Sequence, residues 1–137
     1  MSCVLRVAGE MLDVDKMLTA IDIRPYRVWR KGEPERMGNR INRTSGACFT
    51  VSDAAFEDGA EKVKHVRAFL EANLVDATRI SAFPGVESAG LDFAVSLLPE
   101  QFSKSCILSV ELLKLAVAAS LDIEFTHYAA NISGAES

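Results

Sequence analysis

Apolar residues in this chain switch repeatedly between two spacings, and that switching limits the fold more than any other feature of the sequence. Alternating apolar and polar residues mark a half-buried strand, whereas apolar residues at steps of three and four mark one face of a helix. Cys3–Ala8 is short and apolar and reads as a strand ended by Gly9. Asp13 is placed to cap a helix whose buried face is Val14, Met17, Leu18 and Ile21, and Arg24-Pro25 closes it, because a residue before proline avoids the α region. Tyr26–Arg30 reads as a second strand with a turn at Lys31–Pro34, and Ala47–Ser52 as a third. Between them Glu35–Ser45 has no apolar periodicity and reads as a mobile, exposed loop.

The longest helical pattern runs over Phe56–Leu74, with Asp53 or Asp58 as its cap. Thr78–Phe83 reads as a fourth strand ahead of the Pro84-Gly85 turn. Leu91, Phe93, Val95 and Leu97 alternate as a fifth strand extending to Leu98, and Pro99–Ser105 reads as a connection. A last helix, apolar nearly all round at Leu112–Val117, has Ser109 or Ser105 as its cap, and Leu121–Tyr128 alternates cleanly as a final strand. The order β-α-β-β-α-β-β-α-β predicts an α+β fold. The first and last helices each lie between strands, at a spacing that allows parallel crossovers, so the sheet should be mixed, with helices packed mainly on one face. A single α+β domain is expected over 1–128 and a flexible C-terminal tail over 129–137.

Composition fits that expectation. With 137 residues, 49% hydrophobic and 25% charged, the chain can bury one core and is not of the disordered class. The most apolar stretch, Cys106–Leu121, is interrupted by Ser109, Glu111, Lys114 and Ser120, and the N-terminus has no signal-like run, so no membrane association and a cytoplasmic location are expected. Cys3, Cys48 and Cys106 are odd in number and far apart, which reads as three reduced core thiols rather than a disulfide framework or zinc site. No phosphate-binding glycine motif and no nucleophile elbow is present. His65 reads as a solvated histidine on the long helix, and His127 as a histidine at the edge of the core. No catalytic residue, metal site or cofactor is assigned.

Charge is the one uneven property. The net charge is −4, yet residues 24–43 hold seven bases and two acids, a local +5, which leaves −9 for the remainder. In the second strand, period two puts Tyr26, Val28 and Arg30 on one face and Arg27, Trp29 and Lys31 on the other. Arg24, Arg27, Trp29, Arg30, Lys31 and Arg43 are therefore the candidate binding residues. Cations interleaved with aromatic rings suit single-stranded nucleic acid, which needs phosphate partners and stacking platforms. They equally suit an edge strand that repels other edges. A sequence pI near 5.2 argues against a dedicated nucleic-acid protein.

Several of these residues also carry a family resemblance. The strand closing on Gly9, the Asp13-capped helix to Ile21, Pro25, the run Trp29-Arg-Lys-Gly32, and the ending Ser109-Val-Glu-Leu-Leu113 with Leu121-Asp-Ile-Glu-Phe-Thr-His-Tyr128 resemble the bacterial domain-of-unknown-function family numbered forty-two seventy-nine. The resemblance spans about residues 3–128 and implies a fold but no reaction. The first expectation is a small binding or protein-interaction domain, including immunity-like roles, with a protein partner and a monomeric or homodimeric state. An anion or single-stranded nucleic-acid binder using the 24–43 segment is the alternative, and an enzyme with an unrecognised site is the third.

Overall fold

The computed structural model describes residues 2–54, 59–97 and 106–129, the side chains of 96, 97 and 129 excepted. The expected helix start at Phe56–Asp58, the strand extension to Leu98, the connection Pro99–Ser105 with its alternative cap Ser105, and the tail beyond Ala129 lie outside those residues. The elements are β1 (Cys3–Gly9), α1 (Val14–Thr19), β2 (Arg27–Trp29), β3 (Ser45–Ser52), α2 (Gly59–Ala72), α3 (Leu74–Ala82), β4 (Ser88–Leu97), α4 (Val110–Ala118) and β5 (Asp122–Ala129).

The five strands form one mixed sheet in the order β2-β3-β1-β4-β5. β1 is central and pairs antiparallel with β3 and with β4. β2 pairs antiparallel with β3, so it runs in the same direction as β1 with β3 between them. Only β4 and β5 are parallel neighbours, and α4 makes the crossover that a parallel pair requires.

Pleating decides which residues meet the helices. Leu5 lies opposite both Phe49 and Leu91, Cys3 opposite Phe93, and Val7 opposite Ala47 and Ala89. These alternate residues join Met17 of α1, Val66 and Leu70 of α2, Ala77 and Ile80 of α3 and Leu112 of α4 in a single buried apolar cluster. Val28 of β2 packs against the same cluster, and the other face of its strand carries Arg27 and Trp29. The caps follow the sequence: Asp13 accepts from the Lys16 backbone N–H at 3.1 Å, and Ser109 accepts from that of Leu112 at 3.1 Å.

One expected element is different. Thr78–Phe83 is not a strand; most of it is the C-terminal half of α3. Ile80 and Ala82 alternate with polar residues there, but so short a window also fits a helix, and Leu74, Ala77 and Ile80 at steps of three are the face that is buried. The helical register breaks at Asn73, whose side-chain amide and backbone N–H both donate to the Phe69 carbonyl, at 3.0 and 2.9 Å. Phe83, held extended before Pro84, ends α3. The order is therefore β-α-β-β-α-α-β-α-β. Smaller shifts accompany it. β2 is shorter than expected, β3 starts two residues earlier at Ser45, and Ile21 joins the core from beyond the end of α1.

The helix at 74–82 also provides a polar anchor. The Asp76 carboxylate, almost buried, accepts from the backbone N–H groups of Asp22 at 2.8 Å and Ile23 at 3.0 Å. It thereby fixes the chain leaving α1, just ahead of the basic segment. Asp76→Ala leaves two partly buried donors unpaired and is expected to cost about 2 kcal/mol, read as a lower urea midpoint at unchanged slope.

Candidate functional site

The basic segment begins where α1 ends. Arg24 turns back on that helix, and its guanidinium donates to the carbonyls of Leu18 (2.8 Å), Ile21 (2.5 Å) and Asp22 (3.3 Å). This is a cation closing a helix C-terminus, where orphan carbonyls accumulate. Arg30 is likewise engaged, forming a two-pronged fork on Asp15 with Nε to Oδ2 at 2.9 Å and Nη2 to Oδ1 at 2.7 Å. Hydrogen bonding from Arg30 lowers the Asp15 carboxyl below its ordinary range. Both partners are exposed, so the pair positions the strand end rather than stabilising the fold by much.

Trp29 is seated on the sheet. Its indole lies against Gly46 on β3, where a side chain would collide with the ring, and its Nε1–H donates to Thr44 Oγ1 at 3.2 Å. The Arg27 guanidinium stands 4.8 Å from the ring centroid, a cation–π contact. Past Trp29 the chain does not run as a structureless loop. The Gly32 N–H donates to the Asn42 carbonyl (3.0 Å), Asn42 N–H to the Glu33 carbonyl (2.8 Å), and Glu35 N–H to the Arg40 carbonyl (2.8 Å), with Pro34 bridged to Ile41. Gly38 supplies the positive φ of +89° at the tip. Residues 30–44 are thus a hydrogen-bonded hairpin projecting from the end of the sheet. Its Asn42 side chain is tied back to the Arg30 carbonyl at 3.1 Å, and the Lys31 N–H to Ser45 Oγ at 2.9 Å.

An open groove of about 1660 Å³ lies along this hairpin. Arg27, Lys31, Arg36, Arg40 and Arg43 line it, with Glu10, Glu33 and Glu35 interspersed. All five cations are exposed, and among the described residues none has a carboxylate within 4 Å. Met37 and Ile41, 81% and 60% exposed, stand among them. The groove therefore gathers Arg27, Trp29, Lys31 and Arg43 of the six residues singled out in the sequence. Arg24 and Arg30 are spent on internal contacts. Arg36, Arg40, Met37 and Ile41 complete it, and the Gly38-Asn39 pair between Glu35 and Arg40 was the sequence signal for the hairpin that joins them.

Two other polar clusters lie elsewhere. On the face of the sheet opposite the core, Asp92 is almost buried and accepts from Arg6 Nη1 at 2.9 Å and from Thr126 Oγ1 at 2.7 Å. At the far end of β3, Ser52 Oγ lies 2.9 Å from His65 Nδ1, and His65 Nε2 lies 3.2 Å from Glu61 Oε2. His65 is therefore half-buried and hydrogen-bonded, not simply solvated. The Ser–His–Glu order has the look of a catalytic triad, but Ser52 is 2% exposed and its oxygen already accepts from Ala54 N–H at 3.1 Å and Ser2 Oγ at 3.3 Å. The groove along the hairpin does not reach it. Its role is to clamp α2 to the end of β3. His127, in turn, is exposed on β5 rather than set at the edge of the core.

The cysteines divide differently from the sequence expectation. All three are free, but only Cys3 and Cys48 are buried; Cys106 is exposed. Burial, with a smaller push from Asp92, raises the Cys3 thiol to about 12, so at neutral pH it holds its proton. Among the described residues no group of three metal-ligating side chains comes together, and no helix is long and apolar enough to cross a membrane.

A family model described as "Domain of unknown function (DUF4279)" matches residues 1–130. No curated protein and no solved structure matches the chain.

Two measurements check this geometry. One thiol, Cys106, should react promptly with an aromatic disulfide reagent in the folded protein, and three after unfolding; prompt reaction of two or three would contradict the burial of Cys3 and Cys48. By NMR the Asp15 carboxyl should titrate below 3.8, its ordinary value, and return toward it in Arg30→Ala. Because the folded value is the lower one, the pair's small contribution is present above the unfolded value and is lost as pH falls through the folded one.

Proposed function

We propose that this protein, which belongs to the DUF4279 family, is a binding domain whose contact surface is the groove of the 30–44 hairpin and whose partner is an acidic segment of another protein. One observation carries the reading. Five exposed cations without carboxylate partners converge on a groove that also displays Met37 and Ile41. Cations alone suit any anion. Cations mixed with exposed apolar side chains and three glutamates suit a polypeptide that offers acids and apolar residues together. A neutralising, immunity-like role is one form such binding takes.

The same residues count against single-stranded nucleic acid. A stacking platform needs an open aromatic face, and the Trp29 ring is already occupied by Gly46 and the Arg27 guanidinium. Glu10, Glu33 and Glu35 repel any anion in the groove, but a phosphate chain is charged at every unit, whereas an acidic peptide can set its apolar residues beside them.

The test compares two fluorescent probes at about 150 mM salt. One is a peptide alternating Glu with Leu, and the other a single-stranded oligothymidylate. The peptide is expected to bind, and the triple variant Arg36→Ala, Arg40→Ala, Arg43→Ala to weaken it about tenfold or more, chiefly through a slower on-rate. If the oligonucleotide binds instead, with a steep salt dependence, the alternative reading replaces this one. If the triple variant leaves the peptide affinity unchanged, the groove is not the contact surface.

A further inference from the structure

The two margins of the sheet are unlike. β2 is three residues long, is flanked by the basic hairpin and carries Arg27, all of which discourage pairing with another strand. β5 is eight residues long and stays in unbroken register with β4 from Asp122 to Ala129, without a bulge. It contains no proline and no lysine, and among the described residues no strand covers its outer side. Phe125 and Tyr128 stand 44% and 54% exposed along it. α4, the helix that packs against β5, adds Val110, Leu113 and Val117, exposed at steps of three and four. A long strand edge with no bulge, proline or lysine, beside an exposed apolar stripe, is a surface that a protein in water normally covers.

We infer that a second copy of this chain covers it, with the two β5 strands pairing antiparallel about a two-fold axis at Phe125. The charges on β5 permit this arrangement and exclude its neighbour at Glu124. Its acids are Asp122 and Glu124, both on the polar face of the sheet. A parallel pairing in register would set each acid against its own copy. The two-fold centred on Phe125 sets Glu124 against Thr126 and Asp122 against Tyr128, so no like charges stand directly opposite. Moving the axis one residue to Glu124 would bring two carboxylates face to face.

Aromatic packing favours the same axis. Phe93 and Phe125 are stacked neighbours with ring centroids 5.4 Å apart. The two-fold places a second Phe125 against the first, so the stack continues from the buried Phe93 of one copy to that of the other. The interface is isologous, as in most homodimers, and closes on itself rather than growing into a filament. It leaves the hairpin groove free at the other margin of the sheet, so this assignment and the binding function stand or fall separately.

Light scattering on a sizing column at micromolar concentration tests it. The wild-type chain should elute at twice its 14.9 kDa mass. Phe125→Lys should halve that mass, and Arg36→Glu should leave it unchanged. Circular dichroism confirms that each variant is folded, and Val117→Lys, which alters no strand residue, should weaken the dimer on its own. Because residue 125 faces its own copy on the axis, Phe125→Cys in a Cys106→Ser background should oxidise to a covalent dimer, whereas Arg36→Cys in that background should not. A wild-type mass of one chain, or a dimer that persists in Phe125→Lys and gives no cross-link through residue 125, overturns the inference.

Discussion

Two-residue alternation along the strands is the constraint from which the rest of this structure follows. Once Leu5, Phe49 and Leu91 are drawn into the core, Arg6, Cys48 and Asp92 must point the other way. Asp92 shows the consequence. It is nearly buried as a carboxylate on a strand whose neighbours Leu91 and Phe93 are core, and it is tolerated because Arg6 and Thr126 supply donors from the strands on either side. Those three residues bind β1, β4 and β5 by side chains as well as by the backbone ladder. Removing Arg6 alone would strand a buried charge, which is worse than removing both partners.

The same division explains β2. Val28 packs into the core, and so Arg27 and Trp29 are delivered to the opposite face, where Gly46 leaves room for the indole. The tryptophan then holds the base of the hairpin through Thr44, and the hairpin's own ladder holds its cations apart from the acidic remainder of the chain. Arg24 and Arg30 lie close in sequence to Arg36 and Arg40 but serve a different purpose. Each is consumed by a helix end or its neighbour, and together they fix the position from which the exposed cations project.

Most of the architecture was legible in the sequence because each strand alternates against one core and Asp13 and Ser109 cap as their chemistry dictates. Thr78–Phe83 was not, because a six-residue window cannot distinguish a strand from a helix whose buried face is set by Leu74, before the window begins. Charge counting located the basic segment but could not sort its members. Whether an arginine is spent or free depends on carbonyls and carboxylates brought close by folding: Ile21 for Arg24, Asp15 for Arg30. Similarly, nothing in the sequence near His65 announced Ser52, which reaches it only because β3 ends against α2.

The central position of β1 has a consequence for how the chain is made. β1 needs a partner on both sides, and both partners, residues 45–52 and 88–97, follow it in the chain. Until β4 has emerged, β1 can be paired on one side at most, and the backbone edge that β4 covers stays open. Folding of the whole sheet therefore waits for β4, and in that interval the nascent chain carries a central strand with one side unpaired. For such a topology, protection of the growing chain matters as much as the stability of the finished one.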